Sequence, residues 1–185
     1  REAYDRELSS FTYFHSYDDA SDQAGEPLFP GDRADLEGER SIPDDFKYLA
    51  VIESHLDPRV SSPARAVGMW QLLEGTAREY GLTITPTVDE RCHVEKATGA
   101  ACRYLKAAYK KYGDWAAVAA SYNGGMGRIS GELVKQDADS SFDLWLVEET
   151  TRYIYRIMRL SKFSRIRRNT VLCFVPVTCI SRSLP

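Results

Sequence analysis

Apolar residues recur along the middle of the chain at the three- and four-residue intervals of amphipathic helices, separated by glycine, proline and aspartate. The first such stretch opens near Ser41. Pro43 suits a first helical position, and Asp44 and Asp45 fall in the first turn, where acids complement the helix dipole. Phe46, Leu49, Ala50 and Glu53 follow at i, i+3, i+4 and i+7, with Tyr48, Val51 and Ile52 on a second face. This helix is therefore apolar nearly all round and is predicted to be buried. Asp57-Pro58 ends it. After a polar loop over 59–66, a short helix is predicted over 74–80, with Gly81 as its stop. The next, over 94–112, has an inner stripe of Val94, Ala97, Ala101, Leu105, Ala108 and Tyr112, and Gly113 follows it. Asp114 is placed to cap a compact alanine-rich helix over 115–122, which Asn123-Gly124-Gly125-Met126-Gly127 continues poorly. A final helix is expected over 148–160, with Tyr153, Ile154, Ile157 and Met158 inside. No period-two strand and no internal repeat is visible, so the predicted fold class is all-α.

Composition narrows the classes. The chain has 185 residues, 43% apolar and 28% charged, which fits one soluble domain with a real core. A net charge of −3 gives no basic field, so nucleic acid is not expected as a partner. The longest strongly apolar run, 171–180 with Pro176 inside it, is too short for a transmembrane segment. No secretory leader is visible, and a chain that opens without Met leaves the compartment open. Four cysteines do not make a disulfide scaffold at this length. Cys92 and Cys102 read as one helix, separated by roughly 15 Å of rise, beyond disulfide reach. His15, His55 and His93 lack ligand spacing, and neither a metal nor a cofactor is expected. Arg165-Ile166-Arg167-Arg168 reads as a solvated tail.

Glu53 is the informative residue, because it takes a stripe position where a core leucine belongs. Burial disfavours the charged form of a carboxyl and raises its pKa. Cleavage of a glycosidic bond needs such an acid, still protonated near neutral pH, to protonate the leaving oxygen. On periodicity alone the commoner arrangement is plainer: a helix-end carboxylate paired with Arg59 or Arg65. Gly68-Met69-Trp70-Gln71 sets an aromatic and an amide beside a residue without a side chain. It reads either as a packed Trp at a turn, or as backbone approaching a ligand with Gln71 donating to a sugar. Tyr122-Asn123-Gly124-Gly125 is a phenol and an amide at a helix end, either a glycine-rich cap or a place where a glycan passes close to the backbone. Tyr153, in Glu149-Thr150-Thr151-Arg152-Tyr153, reads as core when taken alone.

Taken in order, Glu53-Ser54, Gly68-x-Trp70-Gln71, Ala120-Ser121-Tyr122-Asn123-x-Gly125-x-Gly127 and Glu149-Thr150-x-x-Tyr153 resemble the catalytic domain of bacterial lytic transglycosylases, soluble-type and membrane-bound type D. The resemblance covers roughly 42–160. It departs at Ser121, where alanine is commoner. It implies a lysozyme-like α fold and cleavage of the β-1,4 bond between N-acetylmuramic acid and N-acetylglucosamine in peptidoglycan. No water is consumed: the muramic acid 6-hydroxyl attacks, giving a 1,6-anhydro end. By position Glu53 holds the acid/base role with Ser54 beside it. Gln71, Tyr122 and Asn123 line the glycan cleft, and Tyr153 orients groups near Glu53. The implied partner is the peptidoglycan glycan strand, and the implied place is the bacterial cell envelope, in the periplasm, as a monomer. No second buried carboxylate is evident, since Asp57 and Asp89 stand in polar turns, although a two-carboxylate hydrolase would want one. A hydrolytic muramidase and a catalytically dead glycan-binding wall protein are the rival readings.

Two stretches break the pattern. Residues 17–40 are acidic, rich in Gly and Pro, and without helical period. Back-translated and read one base later, they can encode a helically periodic string that leads into Ile42-Pro43. Residues 161–172, read two bases later, behave alike. The expectation is that both are out of frame, which the gene's nucleotide sequence decides. The predicted organisation is thus an N-terminal segment over 1–41, partly irregular, a catalytic domain over 42–162, and a tail over 163–185, disordered or out of frame.

Overall fold

The computed structural model describes residues 42–137 and 148–171, with side chains of the last helix to Leu160 and at Lys162. The expectations for 1–41, His15 included, and for the tail over 172–185 lie outside the described residues, as do the side chains of 165–168.

The chain is all-α. Among the described residues, β pairing is confined to isolated bridges, Ser61 with Val67, Val67 with Leu72, and Ile84 with Asp89. The first helical segment opens as a 3-10 turn, Asp44–Lys47, and continues as helix α1, Tyr48–Ser54. Pro43 stands at the cap in an extended conformation, one step before the predicted place. Lys47 is buried along its stem but reaches Asp44 at 2.7 Å, so its charge is not stranded. Helix α2 is Glu74–Glu79, and Gly81 follows it at φ +86. A 3-10 turn, Glu90–Cys92, precedes helix α3, Val94–Tyr112. Cys92 therefore lies outside the helix that carries Cys102; it is exposed, whereas Cys102 is buried.

Helix α4, Trp115–Gly124, is the hub. Asp114 accepts from the amides of Ala116 and Ala117, satisfying two of the orphan donors of the first turn. Residues 116–121 are all buried, as an apolar, small-residue helix must be. It packs against α3 on one side, and against α5, Met126–Gln136, and α6, Glu148–Val171, on others. Two expectations are corrected here. Asn123 and Gly124 complete α4 rather than breaking it. Gly125, at φ +83, serves as a one-residue corner into α5, a helix the glycine count concealed. Ile129 on α5 is buried, and Tyr112 donates to the Met126 carbonyl at 2.6 Å, so tertiary contacts outweigh the glycines' weak helix propensity. In α6, Tyr153, Ile154 and Ile157 are buried as expected, but Leu160 takes the next inward place and Met158 is 46% exposed. This helix runs beyond the predicted end at 160. It packs on α1 as well as α4, and so brings the two ends of the described chain together.

Candidate active site

Glu53 sits in the last turn of α1. The helix stops one residue later because His55 and Leu56 both take positive φ, 54° and 66°. Two non-glycine residues in that region in succession concentrate backbone strain beside the acid. Ser54 does not face a cleft. It is 4% exposed, and its hydroxyl donates to Met69 O at 2.8 Å, with Ala50 O at 3.1 Å. Its place is that of a fastener between α1 and the 68–71 loop rather than a substrate contact.

The side-chain partner of Glu53 is neither Arg59 nor Arg65 but Tyr153, whose hydroxyl donates to Oε1 at 2.6 Å. Desolvation by burial pushes the Glu53 carboxyl above the usual carboxylate range. The Tyr153 bond opposes this, the charge of Glu149 adds to it, and Arg156 opposes it. Burial wins, so the proton is held to higher pH than on an exposed glutamate. Tyr153 is 3% exposed. Tyr122 lies nearby, its hydroxyl donating to Trp70 O at 2.7 Å. Burial first, and then the negative charge of Glu53, hold both phenols well above their ordinary range. Both therefore remain hydrogen-bond donors at neutral pH.

The 68–71 loop is fastened on several sides. Trp70 is fully buried, and its indole N–H donates to Thr98 Oγ1 on α3 at 2.9 Å. Gly68, at φ +86, does allow a close approach of backbone, but to the protein itself: a Cβ there would stand 2.0 Å from Arg91 O. Gln71 is a further correction. Its Nε2 donates to Val60 O at 3.0 Å and to Gly68 O at 2.9 Å. Both acceptors are carbonyls, so the amide nitrogen must face them, and the group Gln71 can offer a ligand is its Oε1 acceptor, not a donor. Asn123, at the end of α4, is half-buried, and its Oδ1 accepts from the Thr150 hydroxyl at 3.0 Å.

Sequence reasoning gave Glu149 no role beyond its place in the motif and passed over Arg156, the two charges that act on Glu53. The signal was available: Glu149, Tyr153 and Arg156 stand at i, i+4 and i+7, one face of α6. Glu148, Glu149, Arg152 and Arg156 border a surface cleft of about 240 Å3. Glu149 itself is exposed. Asp57 and Asp89 are occupied locally, Asp57 by the Arg59 amide and Asp89 by the Arg91 guanidinium. Among the described residues no cluster of His, Cys, Asp and Glu could hold a metal ion, and no helix is long and apolar enough to cross a membrane.

Known proteins share this chain's sequence pattern and fold. The family described as Transglycosylase SLT domain matches residues 34–144, more than half of the chain. The match stops short of Tyr153, so the bond between α6 and Glu53 is an independent observation. The chain is 35% identical over 127 residues to membrane-bound lytic murein transglycosylase D of Escherichia coli K12, covering 66% of this chain and 28% of that protein. It is 29% identical over 119 residues to peptidoglycan transglycosylase gp16 of Escherichia phage T7, covering 63% of this chain and 9% of that protein. Among solved structures, the 70 kDa soluble lytic transglycosylase of Escherichia coli superposes with a TM-score of 0.60 at 23% identity, over 76% of this chain and 24% of that one. That likeness shows the fold, which is the lysozyme-like α fold. The chain spans less than a third of the length of these relatives.

Proposed function

Because the chain belongs to the transglycosylase SLT domain family, we propose that it is the catalytic domain, over 42–162, of a peptidoglycan lytic transglycosylase. The observation that carries the reading is the half-buried carboxyl of Glu53, held above the usual carboxylate range by desolvation and pinned through Oε1 by Tyr153. With Oε1 accepting from Tyr153, the acid's own proton belongs on Oε2. That proton goes to the bridging oxygen as the bond from muramic acid C1 to that oxygen breaks, and the electron pair leaves with the oxygen. The muramic acid 6-hydroxyl closes on C1, and its proton returns to Glu53. One carboxyl thus serves as acid and then base, and no water enters. Gln71 Oε1, the Asn123 amide and the Tyr122 ring line the glycan path. The substrate is the alternating glycan strand, met by a monomer in the periplasm or cell envelope, without metal, cofactor or nucleic acid.

Purified sacculi digested with the chain and analysed by mass spectrometry test this. Muropeptides should end in 1,6-anhydromuramic acid, one water lighter than hydrolytic products. Reducing muramic ends would make the protein a hydrolase, and intact sacculi a binding protein. Tyr153→Phe should move the alkaline limb of the pH–rate profile upward. Loss of the phenol removes a donor that favours ionised Glu53, so the proton is held still more tightly. An unmoved limb would separate Tyr153 from the acid's titration.

A further inference from the structure

Thr150 has no part in the chemistry just described, yet it is 2% exposed on the face of α6 that packs on α4. Thr150 stands in the first turn of α6, and its hydroxyl crosses to Asn123, 27 residues earlier, donating to Oδ1 at 3.0 Å. Its side chain also lies against the end of α4: a Cβ added at Gly124 would stand 3.6 Å from Oγ1 and 3.8 Å from Cγ2, ordinary contact distances. Both the bond and the packing therefore act on the helix end that presents Asn123.

An asparagine amide has one acceptor end and one donor end, and rotation by half a turn exchanges them. In the orientation observed Oδ1 is turned to Thr150, so the two N–H groups of Nδ2 point away from Thr150 as the donors the amide can offer a ligand. Gln71 is turned the opposite way, with its nitrogen inward and its oxygen available. The loop and helix bearing these amides are joined through their neighbours by the bond from Tyr122 to Trp70 O. The two amides assigned to the glycan path are thus set with opposite polarity.

We propose that Thr150 is a positioning residue that fixes the Asn123 amide as a hydrogen-bond donor toward an acceptor oxygen of the bound glycan, such as an acetamido carbonyl. The inference rests on the glycan-cleaving reading of the site. It is tested with soluble strands of alternating N-acetylglucosamine and N-acetylmuramic acid. Thr150→Val keeps the shape and removes the donor. It should raise KM by about three- to tenfold, the worth of one oriented hydrogen bond, with kcat changed less than about twofold, the pattern of lost uniform binding. Thr150→Ser should restore KM. In an Asn123→Ala background, Thr150→Val should add nothing, because the two act as one unit. Asn123→Asp, which presents only acceptors, should bind as poorly as Asn123→Ala.

Additive effects of Thr150→Val and Asn123→Ala would overturn the proposal, as would wild-type KM in Asn123→Asp. So would a Thr150→Val defect confined to kcat and melting temperature. A wild-type chain that yields no anhydro ends would defeat the catalytic reading instead. The same variants are then compared by Kd for the strand, where the coupling between positions 123 and 150 still decides.

Discussion

Glu53→Gln should release no anhydro-muropeptide from sacculi, a loss of roughly 10³-fold or more, because general acid–base groups commonly supply between 10² and 10⁴ and this one carboxyl is assigned both halves of the proton transfer. The amide keeps the shape and can still accept from Tyr153, so glycan binding should survive, and sedimentation of the variant with sacculi checks that. Turnover near the wild-type rate would remove Glu53 from the mechanism.

The same variant makes a thermodynamic test that needs no substrate. The folded-state pKa of Glu53 lies above its unfolded value, chiefly through desolvation. Between those two values the native chain holds a proton that the unfolded chain has released. Stability therefore falls as pH rises through that window and levels off above the folded pKa. The uncharged amide of the variant does not titrate and has no such window. In acid, below the ordinary carboxylate range, the two proteins should melt together. As pH rises, Glu53→Gln should become the more stable, by a gap that stops growing once the native acid has ionised. Melting curves across this range read the gap directly. A variant less stable than the wild type at alkaline pH would mean that the ionised carboxylate is well solvated or well paired, contrary to its burial.

What could be read without coordinates follows from the range of each interaction. The α3 helix was legible in its bounds, because its stripe over Ala97, Ala101, Leu105 and Ala108, its stop at Gly113 and the Asp114 cap of the next helix are all local; Val94, expected on the inner stripe, stands exposed at the first turn instead. The helix α5 was not. Gly124, Gly125 and Gly127 lower local propensity, and only the packing of Ile129 and the bond from Tyr112 restore a helix there. Within the site, residue types were legible but not the use made of each atom. Glu53 stood out as an acid in an apolar stripe, whereas its partner Tyr153 lies 100 residues away and no period connects them, so only the family resemblance set the two together. Gln71 was legible as an amide that the family resemblance assigns to the glycan cleft. That its nitrogen faces Val60 and Gly68 depends on a loop closure with Gln71 at φ 46, which has no local signature. Gly68 shows the same limit in reverse: the need for a missing side chain was evident, and what fills the space was not.

That space governs the second large effect. Gly68→Ala should destabilise the fold by about 3 kcal/mol or more, a large part of the 5–15 kcal/mol typical of a domain. Two costs combine. A positive φ of 86° disfavours any residue with a Cβ. The new methyl would also lie 2.0 Å from Arg91 O and 2.8 Å from Arg91 C, and these are backbone atoms that cannot swing aside. Nor can Arg91 retreat cheaply. Its guanidinium is paired with Asp89 at 2.6 Å and donates to Arg65 O and Leu72 O, the carbonyls flanking the same loop. Relief of the clash therefore pulls on the anchors of the loop that caused it. Met69 O and Trp70 O would move with that loop, and they are the acceptors for Ser54 beside the acid and for Tyr122. Activity should fall at temperatures where the variant is still folded. Gly75→Ala is the control. Gly75 lies in α2 with nothing within 4 Å of an added methyl and no positive φ, so alanine there should stabilise by about 0.5–1 kcal/mol through helix propensity. A Gly68→Ala protein that melts with the wild type would mean that the loop has room to spare, and the rigid platform inferred for Glu53 and Tyr122 would go with it.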